Sequence, residues 1–433
     1  MHNLFGGTAK HIMNNVWLKE PRPLISRSTF CTIQQRIDNN CSVPASLARI
    51  PHKVLSGFAS LAADEWKNWT TIFSVYALFG VLGIEHLKCW RLFVLACKII
   101  SSPLISLQEL DTAHELLLGF CKEFERIYGS DAVTPNMHLH MHLADCIKDF
   151  GPVYGFWLFS FERYNGFLGK YPTNNRSVEI QIMRKFCRDL AFREVHIQVP
   201  EQMPSLDFLD IQTADSGEDL SVDQRMLAYT LSCLSVEVLS SYSISLWSEV
   251  NHLTLGGSCK EHYLELSEKV DLVDVYKVIY QHNEEVDYDI PLVTRRYRSV
   301  EFNDQCWGSE SSRLSRSSYV LAAWCGRDGK IDPNMQTPRP GIVSFYFKHH
   351  IKFYSSSSPK YHVFAYVRWF SPHPCKDKMG RPVEVWCANV FERAGPASFI
   401  PFQRLHTKFV AGFVFIDSEK VLCVCPLNQK IFI

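Results

Sequence analysis

The sequence predicts an α+β protein, with a mainly α-helical N-terminal part followed by a small antiparallel β-barrel-like C-terminal domain. Three observations predict it. Apolar residues recur at the 3,4 spacing of amphipathic helices through roughly the first 195 positions. Beyond about 290 the period changes to short β-branched and aromatic runs separated by turn residues. An acidic stretch punctuated by Pro200, Pro204 and Gly217 lies between the two. At 433 residues the chain is longer than one hydrophobic core ordinarily serves. We divide it into a helical part (1–195), an acidic linker (196–222), a helical connector (223–285) and a β-rich domain (286–433).

In chain order, Gly6, Gly7 and Thr8 are placed to cap a helix with apolar positions Ala9, Ile12, Met13 and Val16, ended by Pro21 and Pro23. Residues 45–129 read as helical. Their stripes run through Ala62, Trp66, Trp69, Phe73 and Tyr76, then Leu87, Trp90, Val94 and Cys97, then Leu110, Ala113, Leu117, Phe120 and Phe124. These stripes are core positions and leave little room for a cofactor. The longest charge-free apolar run, 68–84, contains Thr70, Thr71 and Ser74 and falls short of a membrane span, so it reads as a buried helix.

Residues 134–169 concentrate the unusual chemistry. His138 and His142 stand at i,i+4 on an expected helix over 137–149, with Asp145 one turn on, and His140 points away from them. Gly151 and Pro152 stop that helix. A second helix from about 156 has Trp157, Phe161, Tyr164 and Leu168 as its apolar face. Glu162 lies off that face above Asn165, Gly166 and Gly169, a surface of little bulk that a metal ion or a phosphate backbone can approach. Taken alone, Glu162 is as well explained by an ion pair with Arg163 or another neighbour. The histidine trio with Asp145 also admits a zinc site, and with it a stand-alone zinc hydrolase. No second cluster at ligand spacing accompanies it, so His138 and His142 read as structural.

The next helix, over 175–194, turns Val178, Ile182, Phe186 and Leu190 inward. Arg176, Arg184, Lys185, Arg188 and Arg193 lie on its outer face, a candidate track for DNA phosphates or simply a solvated basic face. Two further helical patterns, about 222–246 and 260–281, remain acidic. The serine run 309–318, with Arg313 and Arg316, reads as loop, with phosphorylation or backbone binding as alternatives. Strands are expected over 342–347, 362–370, 382–388, 399–405, 409–416 and 421–424, and residues from about 290 onward are expected to fold independently.

The formal net charge of zero is a sum of unlike parts. Residues 1–200 carry 21 basic and 17 acidic side chains, 201–290 carry 4 and 18, and 291–433 carry 20 and 10, so neutrality does not exclude nucleic-acid contact by either end. Fifteen cysteines without a C-x-x-C pair, and no apolar leader behind a basic start, indicate free thiols in a reducing, intracellular compartment rather than secretion.

The segment His138, His142, Leu143, Gly151, Pro152, Trp157, Phe159, Glu162, Arg163, Gly166 and Leu168 resembles the C-terminal part of CACTA-type (En/Spm-like) cut-and-paste transposases of the DDE group. Order, spacing and residue type agree over some 35 positions. Met1 and His2, followed by Asn3, Leu4, Gly7, Thr8, Ala9 and Lys10, resemble that family's D-x-M-H run around its second metal-binding acid, and the stretch 49–74 resembles its helical insertion. The resemblance implies a remnant of an RNase H-like catalytic domain, with Glu162 as the third acid and magnesium as the cofactor of an intact parent enzyme. It places the other two acids ahead of Met1, so this chain is expected to be catalytically incomplete and to hold no cofactor. DNA and a nuclear location are implied, and no membrane partner. The runs YHVFAYVRWF and PVEVW are loosely similar to bromo-adjacent-homology modules, which implies a protein or chromatin partner for the β-rich domain.

Overall fold

The computed structural model describes residues 2–19, 21–47, 50–51, 61–174, 176–198, 253–280, 288–302, 305–326, 328–335, 337–353 and 359–428. The acidic stretch 201–223 and the helical pattern expected at 222–246 lie outside the described residues. The chain forms two compact units. One holds Phe156–Leu220, and the other His2–Gly155 together with Ser221–Ile433.

The larger unit is mixed α and β, with an N-terminal helical part and a C-terminal antiparallel sheet. It opens with two π-helical stretches, His2–Ala9 and Ile12–Trp17. Gly6 and Gly7 therefore lie inside a helical turn and do not cap one. Two glycines cost a helix about 1 kcal/mol each, and burial of Leu4, Phe5, Ala9, Ile12, Met13 and Trp17 offsets that. Then follow α1 (Arg27–Asp38), the two-residue strand β1 (Cys41–Ser42), α2 (Ala63–Asn68), a π-helical link Trp69–Phe73 and α3 (Ser74–Leu78). The long antiparallel-type pair α4 (Ile84–Ile100) and α5 (Leu107–Tyr128) comes next. The expected stripes are core, with Trp69, Phe73, Tyr76, Val94 and Phe120 fully buried, except at Ala62, which is exposed at the start of α2. A reciprocal cap starts α5, where Ser106 Oγ accepts from the Glu109 N–H at 3.2 Å and Glu109 Oε2 accepts from the Ser106 N–H at 2.8 Å.

The histidine segment is broken into α6 (Pro135–Leu139), a 3-10 turn His140–His142 and α7 (Leu143–Phe150), where one continuous helix was expected. Pro135 begins α6, and Gly151, at φ 80°, ends α7. A short helix, α8 (Val153–Phe156), leads to the smaller unit's α9 (Phe159–Leu168) and α10 (Val178–Gln198).

After residue 252 the chain is strand-rich. The elements are β2 (Leu253–Tyr263), helix α11 (Leu266–Tyr280), β3 (Tyr288–Asp289), β4 (Val293–Phe302), β5 (Gln305–Gly308), β6 (Tyr319–Ala322), β7 (Arg339–Phe353), β8 (Lys360–Pro372), β9 (Glu384–Phe391), β10 (Phe399–Pro401), β11 (Leu405–Ile416) and β12 (Glu419–Pro426). Each of the six expected strands has a counterpart, but that over 382–388 begins only at Glu384, and Phe402–Arg404 within 399–405 forms a 3-10 turn. The helix expected over 260–281 begins only at Leu266, because residues through Tyr263 pair with β4. Strands β8, β9, β12, β11, β6 and β7 are each paired to the next, and β7 pairs back to β8. Leu321, Ile342, Phe370, Trp386, Phe409 and Leu422, one from each of these strands, pack into a common core. A second core lies beneath α11, where Leu272, Val275 and Tyr276 cover Phe347, Phe364 and Phe399.

The sheet is tied to the helices at several points. Strand β1 pairs with β11, with Cys41 opposite Gly412. Tyr76, fully buried, lays its ring on Gly412 and donates its hydroxyl to the Phe413 carbonyl at 3.2 Å. Lys98 Nζ donates to the Pro426 carbonyl at 2.7 Å, and the Ala45 N–H to Ser317 Oγ at 3.2 Å. The run 309–318 is thus an ordered loop, with Ser309, Ser317 and Ser318 buried.

Candidate functional site

The 3-10 turn at His140–His142 sorts the three histidines. His140 is fully buried, stacks on Phe93 at 5.7 Å, and shares a 3.1 Å hydrogen bond between its Nε2 and Thr8 Oγ1. Burial lowers its imidazole to about 4, so it is neutral at pH 7. His138 and His142 face outward, with their Nε2 atoms 3.5 Å apart. They are exposed, where a structural role suggested burial. As a pair they offer two donors, short of the four that a structural zinc takes. Among the described residues no group of three or more His, Cys, Asp or Glu side chains is placed to hold a metal ion.

The π-helical N-terminus is seated on this segment. Beside the Thr8–His140 bond, Asn3 Nδ2 donates to the Asn136 carbonyl at 2.9 Å, and His11 Nε2 bonds the Ala132 carbonyl at 3.0 Å. Trp17 Nε1 donates to Tyr128 Oη at 2.7 Å and its ring meets Trp90 edge-on. Such wide helical turns recur at functional sites. His2 begins this stretch, and its side chain lies outside the described ones.

In the smaller unit, Glu162 and Arg163 lie on α9, and their side chains are likewise outside the described ones. A Cβ built on Gly166 meets nothing within 4 Å, so the surface one turn beyond Glu162 is open. The helix begins at Phe159 instead of near 156, so Trp157 lies ahead of it. Phe159 is buried, while Phe161 and Tyr164 are 63% and 52% exposed, the reverse of the sequence expectation. Trp157 is half-buried and meets Phe159 edge-on at 5.0 Å. Tyr164 meets Phe186 at 6.0 Å, which packs α9 against α10. Arg184 and Arg188 are exposed one turn apart on α10, and Arg176 is exposed just before it. Lys185 is half-buried and donates to the Pro172 carbonyl. The Arg193 side chain lies outside the described ones.

Compared with known proteins, the chain matches no family model, no curated protein and no solved structure. Among the described residues no helix is long and apolar enough to cross a membrane.

Sequence reasoning missed two features. Thr8 and His140, 132 positions apart, are hydrogen-bonded, and only the H-x-H spacing hinted that the middle histidine would turn inward. Under α11, Tyr276 Oη bonds His349 Nδ1 at 2.8 Å and Tyr280 Oη bonds His362 Nε2 at 2.7 Å. These pairs join three elements, α11, β7 and β8, and leave no local signal.

Proposed function

We propose that this chain is the C-terminal part of a CACTA-type DDE transposase, a transposon-derived protein of the nucleus. The observation that carries the reading is the seating of one family-like run on the other. Asn3 and Thr8 from the N-terminal run bond Asn136 and His140 in the histidine segment. Two chance likenesses have no reason to adjoin in the fold. On this reading the helical layer is what remains of an RNase H-like domain and its insertion, and the ring of paired strands is a small accessory barrel.

In the parent chemistry three carboxylates hold two divalent metals that activate the attacking oxygen and stabilise the leaving one. Glu162, with open space over Gly166, supplies the third carboxylate. The resemblance assigns neither of the other two to a residue of 1–433. The test is a magnesium-dependent cleavage assay on this chain and on a version extended so that an Asp stands two places before Met1, with the first acid also restored. Cleavage only by the extended version, abolished by Glu162→Gln, is the expected result. Cleavage by residues 1–433 that survives Glu162→Gln sinks the assignment.

The exposed Arg176, Arg184 and Arg188 favour a second reading, a domesticated, non-enzymatic DNA-binding or chromatin-interaction module. That reading expects salt-dependent duplex binding weakened by Arg184→Ala with Arg188→Ala, and no cleavage by the extended version either.

A further inference from the structure

The buried cations of the C-terminal sheet are satisfied with one exception. Arg339, 5% exposed, is paired with the Glu392 carboxylate and donates to the Gly326 carbonyl. Lys408, 2% exposed, donates to the Cys306 carbonyl at 2.7 Å. Arg404 is 8% exposed, and among the described residues its guanidinium has neither a hydrogen-bond acceptor nor an ion-pair partner, with Nη1 fully shielded from solvent. Its Cζ sits 5.6 Å from the centre of the Trp324 ring, and Trp324 Nε1, on a side chain 1% exposed, is a second buried donor without an acceptor.

Both donors are held in place by backbone. The Ala323 N–H donates to the Arg404 carbonyl at 3.2 Å, which ties the turn Phe402–Arg404 to the end of β6. The nearest counter-charge is Asp332. Its N–H donates to the Trp324 carbonyl at 2.9 Å, and its Oδ1 is occupied as acceptor for the Asn334 N–H at 3.0 Å, so it caps its own turn and does not pair with the guanidinium. A guanidinium taken out of water without an acceptor costs several kcal/mol. Folded chains fill such a position with an anion or with water. A buried guanidinium without an acceptor, with a second orphan donor on the neighbouring Trp324, is a complement for an oxyanion.

We infer that Arg404, with Trp324 beside it, anchors an oxyanion site that takes a phosphoryl group, either inorganic phosphate or a phosphodiester of DNA. The DNA source rests on the function proposed above, while the site itself does not. The fork geometry of arginine suits two phosphoryl oxygens, and a lysine at the position retains charge without the fork.

The test measures thermal stability with and without millimolar phosphate at constant ionic strength, for the wild type, Arg404→Met and Arg404→Lys. Phosphate is expected to raise the wild-type Tm, with no response in Arg404→Met and a response at about tenfold higher phosphate in Arg404→Lys. Without phosphate, Arg404→Met should be at least as stable as the wild type, because an unpaired buried charge is gone. An equal phosphate response in all three proteins overturns the site. So does a wild type indifferent to phosphate but strongly destabilised by Asp332→Asn, since Asp332 would then be the counter-ion. A second arm measures duplex DNA affinity at fixed salt. Weaker binding by Arg404→Met assigns the phosphoryl source to DNA. Unchanged binding, with phosphate protection still lost, assigns it to free phosphate and keeps the site.

Discussion

Gly412→Ala is expected to destabilise the helical layer and the sheet together. A Cβ at this position would stand 2.6 Å from Tyr76 Cε2 and 2.7 Å from Cζ, about 1 Å inside ordinary contact. The ring has nowhere to retreat, because Tyr76 is fully buried and its hydroxyl is fixed on the Phe413 carbonyl at 3.2 Å. Overpacking of this kind costs about 1–3 kcal/mol, and losing the hydroxyl bond as the ring shifts adds roughly 1. Relief of glycine's backbone entropy in a strand offsets only about 0.5–1 kcal/mol, so the net change is a loss of about 1–3 kcal/mol. Urea unfolding followed by tryptophan fluorescence and by far-UV circular dichroism measures it. Both probes should report one transition, moved to lower urea in the variant. Shortening the partner in Gly412→Ala with Tyr76→Leu should recover part of the loss, a coupling of about 1 kcal/mol or more. A Gly412→Ala protein as stable as the wild type would refute the close approach. Separate transitions for the two probes would refute the single unit.

Stability should fall on acidification from about pH 6.5 to 4. His140, His349 and His362 are each lowered to about 4 by burial, so over that window the unfolded chain binds protons that the folded one refuses; each histidine is worth up to about 3 kcal/mol. Urea midpoints measured across that range check it, and a flat profile contradicts the burial. Lys98, half-buried and lowered to about 8 by desolvation, works at the other end: between pH 8 and its ordinary 10.5 the unfolded lysine still holds a proton, so its contribution grows as pH rises. The stability difference between wild type and Lys98→Met should change over that window and stay constant below it. Ser106→Ala removes the cap of α5 and should cost about 1 kcal/mol in the same urea assay. On the transposase reading, Glu162→Gln should abolish magnesium-dependent cleavage by the version that carries all three acids, as a gel assay with duplex DNA would show.

The sequence by itself determined what depends on neighbours along the chain. Stripes such as Trp66, Trp69, Phe73 and Tyr76 bury as their spacing says, because a helix carries its apolar face wherever it goes. The strands around His362–Phe370 and Phe409–Ile416 were legible for the same reason, and so was the stop at Gly151 and Pro152. Tertiary structure alone decided the rest. Which face of α9 is buried depended on what packs against it, so Phe159 went in while Phe161 stayed out. Residues 260–263 read as helix but joined β2, because pairing with β4 satisfied their backbone better than another helical turn. The seat of Thr8 on His140, the slot that Gly412 leaves for Tyr76, and the solitary Arg404 each depend on residues distant in sequence. Nothing in the local pattern around any of them encodes the partner, because close packing and hydrogen-bond satisfaction are properties of the assembled chain.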